Sequence, residues 1–532
     1  MLKVTNLSMQ FGGRTLFKDV NLTFNKGDCY GIIGANGAGK STFLRIVTGA
    51  LEPTTGSVEL DKTERMSVLN QNHEKFNDVQ VLRTVLLGNK RLVEIMDEKD
   101  ALYAKEDFTE EDGIKAGELE NEFAEMNGWD AETEATNLLN NLGVPEKYHT
   151  MLVKDLDKSL RVKVLLAQAL FGNPDILVLD EPTNDLDPVA AAWLEDFLAD
   201  FENTILIVSH DRYFLNKVCT KILDVDYNQI NLFVGNYDFW YQSSQLMQKQ
   251  AKDQNAKKEQ KIKELQEFIA RFSANASKSR QATSRKKLLE KITLDDLKPS
   301  SRRYPWVDFK YDRELGKDVL FVENLTLNGF FNNLSFVLNN TDKVAFISSN
   351  QLAITNLFEI LNGRKEADSG SYKFGITVEK EYFSSSLAEF DDVEETLVDY
   401  LRPYSSETLD SYIRSYLGRM LFSQDEALKQ VKVLSGGEKV RLKLTRLQLH
   451  PGNVMFFDDP TNHLDLESIE SLNRGLVNYK GVLLFSSHDH EFLNTIANRI
   501  IYIKDNGSYI DYIGTYDEFL PILAAETASK NR

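Results

Sequence analysis

Cysteine is almost missing from this chain. Two residues, Cys29 and Cys219, among 532 exclude a disulfide framework, a cysteine zinc site and an iron–sulfur cluster. Long apolar runs are missing too. The strongest, such as Ile176-Leu177-Val178-Leu179, have the length of a core strand and fall far short of the ~18 residues that a membrane helix needs. The start, Met1-Leu2-Lys3-Val4-Thr5, has no apolar stretch of the secretory kind. A basic excess is also lacking: the formal charge is −19, which by itself argues against a polyanionic partner. These absences lead to the expectation of a cytoplasmic protein with no integral membrane segment. The length suits two to four domains, and 42% hydrophobic with 27% charged residues is the composition of an ordinary folded chain.

The charge is unevenly placed. Tyr241 to Lys310 holds 17 Lys and Arg against 8 Asp and Glu, a basic segment between two acidic bodies. That asymmetry fits an arm that meets a polyanion, although a solvated linker helix has the same composition. Arg91 to Asn140 is the reverse, with 4 basic and 16 acidic residues.

The chain also repeats itself. Asp180-Glu181-Pro182-Thr183-Asn184 returns as Asp458-Asp459-Pro460-Thr461-Asn462, and Ser209-His210-Asp211 as Ser487-His488-Asp489, both at an offset of 278. Near the start of each half the offset is 314, Gly49 matching Gly363, so the first copy carries 36 additional residues. The acidic stretch at about 90–140 falls in that interval. The expected organisation is a first domain at 1–240, a basic helical linker at 241–315 and a second domain at 316–532. Short apolar strands alternate with helical patterns in both copies, which is an α/β arrangement. In the linker, Leu265, Phe268, Ile269 and Phe272 lie at helical spacing from about Ser244 onward. A polar stretch and a second helical pattern follow, which places Lys278, Arg280, Arg285, Lys286 and Lys287 at or near the tip of a helical hairpin. Trp240, Trp306, Phe268 and Phe272 are expected to pack its root and stem.

Gly34-Ala35-Asn36-Gly37-Ala38-Gly39-Lys40-Ser41 follows the strand Cys29–Ile33 and opens a helical stretch from Thr42. This is a phosphate loop. The glycines let backbone N–H groups curl around phosphate oxygens; Lys40 reaches the β- and γ-phosphates and Ser41 holds Mg²⁺. Asp180, at the end of an apolar strand, supports the same ion. Glu181 can polarise an attacking water, and His210, after the strand Thr204–Ser209, can contact the γ-phosphate from the opposite wall. His73, His149, His450, His463 and His490 form no ligand spacing and read as surface or structural residues.

At these residues the sequence resembles the ATP-binding cassette superfamily. Leu434-Ser435-Gly436-Gly437-Glu438 matches its signature, which is presented to nucleotide held by the other cassette. Two cassettes, a charged helical linker of about 70 residues and an insertion in the first cassette are similar to the ABC-F family. The resemblance implies two tandem P-loop NTPase domains joined by a helical-hairpin linker, paired within one monomer and closing on ATP and Mg²⁺. It implies further that the linker meets tRNA on the ribosome. Within the family pattern Phe11 stands at the adenine-stacking position and Gln71 at the residue that senses Mg²⁺ and γ-phosphate. The acidic insertion matches the position of the family's arm subdomain.

The motifs are unequal between the halves. Ser348, Gln351, Ala353 and Ile354 stand where Gly34, Gly37, Gly39 and Lys40 stand, and only Thr355 survives, opposite Ser41. Ser385 replaces Gln71 and Asp459 replaces Glu181, while Asp458 and His488 are kept. Leu156-Asp157-Lys158-Ser159-Leu160 replaces the signature in the first copy. In a head-to-tail pair both losses fall on one site. The expectation is a single hydrolytic site built from Gly34, Asn36, Gly37, Gly39, Lys40, Ser41, Thr42, Gln71, Asp180, Glu181 and His210, closed in trans by Ser435, Gly436 and Gly437. The resulting reading is a translation-factor ATPase whose closed form docks on the ribosome. The alternatives are an ATPase subunit serving a separate membrane transporter and an ATP-gated interaction protein.

Overall fold

The computed structural model describes residues 1–35, 37–69, 76–183, 186, 188–272, 302–407 and 409–530. Each half builds a six-stranded sheet with a three-stranded antiparallel sheet beside it. In the first half the strands of the large sheet lie in the order Met66–Val68, Ile176–Asp180, Thr204–Val208, Cys29–Ile33, Lys221–Asp226, Gln229–Val234, and only the last pair is antiparallel. The second half repeats the order as Lys380–Phe383, Val454–Asp458, Val482–Ser486, Lys343–Ser348, Arg499–Ile503, Tyr509–Ile513. Tyr30 faces Lys221 in one sheet as Val344 faces Arg499 in the other, so the repeat offsets of 314 and 278 hold in space as well as in sequence.

Central strands are buried on both faces because side chains of period two enter two different cores. Tyr30 and Ile32 pack with helix Lys40–Val47 and the small sheet, whereas Cys29 and Ile33 pack with the remaining helices. The strand order is not the chain order, which leaves a crevice at the carboxyl ends of the strands. Gly34, Asp180 and Ser209-His210 all lie at those ends.

The acidic insertion forms helices Lys90–Tyr103 and Glu110–Glu125. Leu92, Ile95, Leu102, Leu119 and Phe123 are buried in the same core as the cassette helices. Outside that seam a bidentate Arg91–Glu122 pair and Lys99, 4.1 Å from the Phe123 ring centroid, tie the helices together. The linker opens with a single helix, Tyr237–Phe272, of 36 residues, about 54 Å long at 1.5 Å per residue. It starts seven residues before the Ser244 expected from apolar spacing, because the Asn236 side chain accepts from the Phe239 N–H and caps the first turn. Trp240 is buried at its root as expected, whereas Trp306 is exposed and does not pack there. The side chains of Phe268 and Phe272, and the tip residues Lys278, Arg280, Arg285, Lys286 and Lys287, lie outside the described residues. Among the described residues no helix is long and apolar enough to cross a membrane.

The two cassettes exchange apolar contacts. Leu466, which opens helix Leu466–Asn478 of the second cassette, is buried among core residues of the first, and Val189 of the first packs against the core of the second. Arg212 pairs with Glu470 at 2.7 Å, and the Tyr213 ring stacks on His490 with centroids 3.7 Å apart. Truncating a buried leucine costs about 2–5 kcal/mol. Leu466→Ala is therefore expected to destabilise the protein by that order and to split its thermal unfolding into two transitions by calorimetry, one per cassette.

Candidate active site

The turn after Cys29–Ile33 passes strand Lys221–Asp226 so closely that a Cβ on Gly34 would lie 2.6 Å from the Val225 carbonyl oxygen. Gly37 and Gly39 have φ of 74° and 111°, a region that favours residues without a Cβ. Gly39 caps helix Lys40–Val47, whose first-turn N–H groups have no carbonyl partner within the helix and face the turn. Lys40 is only 8% exposed. Its Nζ donates to the Gly34 carbonyl at 2.7 Å and reaches that of Ala35 at 3.4 Å. Burial lowers its pKa, against the opposing pull of Glu181, Glu467 and Asp465.

The carboxylates arrive from the neighbouring strand. Asp180 accepts from the Ser41 hydroxyl, and burial raises its pKa. Glu181 has a positive φ of 51° and its N–H donates to Val208, which turns the side chain away from that of Asp180 and toward His210. One Glu181 oxygen accepts from the His210 N–H at 3.2 Å, and the other lies 3.5 Å from His210 Nε2. Burial, helped by the charge of Asp180, raises the Glu181 pKa to about 8. Burial, with Lys40 nearby, lowers that of His210 to about 3. The neutral ring and the poised carboxyl are what general-base chemistry near neutral pH requires. Glu181 Oε1 and His210 Nδ1 are buried with no hydrogen-bond partner among the described residues.

These groups line a cleft of about 690 Å³. Phe11, half exposed, stands at its rim with Gly37, Gly39, Lys40, Ser41 and Thr42. Asp180, Glu181 and His210 form its floor and far wall. The second cassette closes it with Asp459, Thr461, Asn462, His463, His488 and Asp489. His463, read from the sequence as a surface or structural residue, is thus a cleft residue; the signal was its place in the repeated motif, where the first copy has Asp185. Ser435, Gly436 and Gly437 do not line the cleft. Ser435 caps helix Gly436–Leu449 in a reciprocal arrangement with Glu438, and Gly436 faces His463, 3.5 Å from where its Cβ would stand. Asn36 and Gln71 lie outside the described residues.

The second copy is built differently. Helix Gln351–Leu361 begins three residues before the position of Lys40, so the strand-to-helix turn shrinks to Ser349-Asn350. Without glycines the helix winds back through the space of the phosphate loop. Ile354, in Lys40's place, is buried in the core. Gln351 Nε2 donates to Asp458 at 3.1 Å and to Ser486 at 3.0 Å. Thr355, Ser385 and Ser486 donate to the same carboxylate at 2.8, 2.9 and 3.2 Å. Asp458 is fully buried, with side-chain donors on both oxygens. Asp459 lies 3.9 Å from His488, a longer reach than that between Glu181 and His210.

The residues around Lys40 fit a magnesium nucleotide. Ser41 and Asp180 are hard oxygen donors of the kind Mg²⁺ takes, and the orphaned Glu181 and His210 atoms face the same cleft. A magnesium ion there would neutralise charge on the β- and γ-phosphates.

Two family models, both described as ABC transporter, match residues 17–184 and 223–309. The chain is 58% identical to the ABC transporter ATP-binding protein YkpA of Bacillus subtilis, across 98% of this chain and 97% of that one. It is 32% identical to ABC transporter F family member 2 of Arabidopsis thaliana, across 98% of this chain and 78% of the plant protein. Among solved structures it resembles the archaeal ribosome recycling factor aABCE1, crystallised with the stalk protein aP1, with a TM-score of 0.60 at 15% identity over 98% of this chain and 92% of that one. That likeness is one of fold.

Removing a general base typically costs 10²–10⁴-fold in rate. Glu181→Gln is expected to lower kcat for ATP hydrolysis by about that factor while nucleotide binding, read by fluorescence of a labelled ATP analogue, persists. Lys40→Ala is expected to lose both.

Proposed function

The chain belongs to the ABC-F family, and on that premise we propose that it is an ATPase that docks on the ribosome in its ATP-closed state. In this reading the basic linker tip lies near tRNA, and hydrolysis at one composite site releases the protein. The cytoplasm is then its place of work. Domain 1–240 supplies the phosphate loop, 241–315 the probe and 316–532 the opposing jaw.

The observation that carries the reading is the contrast between the two nucleotide positions. Around Lys40 a glycine turn, a buried lysine and two orphaned polar atoms face a cleft lined by both cassettes. Around Ile354 the same volume is taken by helix, and the Walker-type carboxylate Asp458 is already satisfied by protein donors. Glu181 activates water, Lys40 and the helix N-terminus hold phosphate, and Ser41 with Asp180 holds the ion. Phe11 stacks the base. Ser435, Gly436 and Gly437 reach the nucleotide when the cassettes close, since the signature helix belongs to the jaw that also presents Thr461 to Leu464.

The role in translation rests on the linker. Its excess of nine positive charges between Tyr241 and Lys310, on a protein that is otherwise acidic, suits sequence-independent phosphate contacts.

Calorimetric titration of Glu181→Gln with ATP is expected to give one bound nucleotide per chain; two would overturn the single-site reading. The same variant with ATP is expected to co-sediment with ribosomes. Replacing Arg280, Arg285, Lys286 and Lys287 by Gln should weaken that binding. The slope of log affinity against log salt should flatten by about 0.7–0.9 for every phosphate that is no longer neutralised. Unchanged sedimentation would reject the linker's role.

A further inference from the structure

Arg302 lies where the linker returns to the cassettes, and its side chain is 9% exposed. Its guanidinium meets three carboxylates. Nη2 bonds Asp224 at 2.6 Å, Nη1 approaches Asp226 at 3.4 Å and Nε pairs with Glu467 at 2.8 Å. The plane also covers the Trp240 ring at 4.6 Å, and Trp240 Nε1 donates to Asp224 at 3.1 Å. The outgoing and returning ends of the linker therefore meet at one buried charge cluster.

Each carboxylate sits on an element that shapes the Lys40 cleft. Asp224 and Asp226 are alternate residues of strand Lys221–Asp226 and flank Val225, whose carbonyl defines the wall that Gly34 must pass. Glu467 is in the first turn of helix Leu466–Asn478, directly after the Thr461–Leu464 turn that lines the cleft. Its second oxygen, Oε2, is buried with no hydrogen-bond partner among the described residues. Lys40 is close enough to Glu467 and Asp465 for their charge to raise its pKa against the effect of burial.

The repeat supplies an internal comparison. The offset of 278 puts Val189 in the place of Glu467, Tyr502 in that of Asp224 and Lys504 in that of Asp226. None of the three carboxylates has a counterpart around the second nucleotide position. A helix in this setting can pack through a valine, and apolar packing is commonly as stable as a buried ion pair. Among the described residues this charged cluster stands beside the cleft that keeps its phosphate loop.

We propose that Arg302 is a positioning residue for ATP hydrolysis in the Lys40 cleft. Through Glu467 it holds the Thr461–Leu464 turn of the second cassette against the phosphate loop of the first, and it fastens the linker's returning end to that joint. The proposal rests on the reading that turnover occurs beside Lys40. A misplacement of about 1 Å at such a joint can cost 10²-fold in rate without changing which groups touch the substrate.

The test is steady-state ATPase kinetics and thermal unfolding of the full-length chain with four substitutions. Glu467→Val installs the residue that stands at Val189 and leaves Arg302 paired with Asp224 and Asp226. It is expected to lower kcat by about 10- to 100-fold at a KM for ATP within about twofold of the unaltered protein, with a modestly lower Tm because the buried Arg302 Nε–H loses its acceptor. Arg302→Gln is expected to show the same split with a lower Tm, and Arg302→Lys to recover part of kcat, since an ammonium cannot serve three acceptors in the guanidinium's plane. A folded Glu467→Val protein with unaltered kcat would overturn the proposal even if Arg302→Gln fails to fold. Lys40→Ala separates the two readings: turnover surviving in that variant defeats the Lys40 site itself, whereas an active Glu467→Val protein beside an inactive Lys40→Ala protein defeats only the Arg302 assignment.

Discussion

A backbone N–H group can reach a phosphate oxygen only where no side chain stands between them. That steric condition governs the asymmetry of this molecule. In the first cassette, Gly34 to Gly39 separate strand from helix, and the glycines at 37 and 39 keep the chain in a conformation that a helix cannot absorb. In the second, Ser349-Asn350 is all that remains, and helix growth, favourable once nucleated, has consumed the rest. Restoring a lysine at 354 alone would therefore restore no site: it would bury a charge where Ile354 now packs with Leu357, Phe358 and Val454, and burying an unpaired charge is costly.

The same strand-end aspartate meets two fates as a consequence. Asp180 has Ser41 as its hydroxyl partner and Lys40 nearby, a setting in which further positive charge is welcome. Asp458 is enclosed by Gln351, Thr355, Ser385 and Ser486. Lys443, fully buried, stiffens that enclosure by donating to the carbonyls of Ser384 and Ser386 on either side of Ser385. A carboxylate whose lone pairs are taken by protein donors has little left for a metal ion.

Much of this is legible in sequence, because repeats, phosphate loops and strand ends are written in neighbouring residues. The two offsets, the Cys29–Ile33 strand and a helix after the phosphate loop can be read that way, though the helix opens at Lys40, two residues before the expected Thr42. What cannot be read lies in how an element responds to its neighbours. Aligning Ile354 with Lys40 shows a missing charge, but not that the helix starts at Gln351 and turns that glutamine onto Asp458. His463 looks idle by metal-ligand spacing; its reach into the cleft depends on the second cassette docking on the first. Arg302, Asp224 and Glu467 are far apart in the chain, and no periodicity links them. Trp306 misleads for the converse reason: a tryptophan near a linker suggests burial, yet here its backbone N–H is engaged, by the Arg419 carbonyl, while the residue as a whole stays exposed.

An interface with one nucleotide behaves differently from a symmetric clamp. A ligand shifts a conformational equilibrium only by its differential affinity for the two forms, and carrying a closure from 1:99 to 99:1 takes about 5.5 kcal/mol. With two sites that difference is shared; with one, a single nucleotide supplies it all. The contacts that stay made without nucleotide then have to leave the open and closed forms close in energy. The Tyr213–His490 stack and the Arg212–Glu470 pair suit such a standing joint, because rings and ion pairs tolerate small rotations that interlocked methyl groups resist. On the single-site reading proposed above, closing would be a rotation about this joint, felt most by whatever is fastened beside the Lys40 cleft. Both ends of the linker, at Trp240 and Arg302, are fastened there.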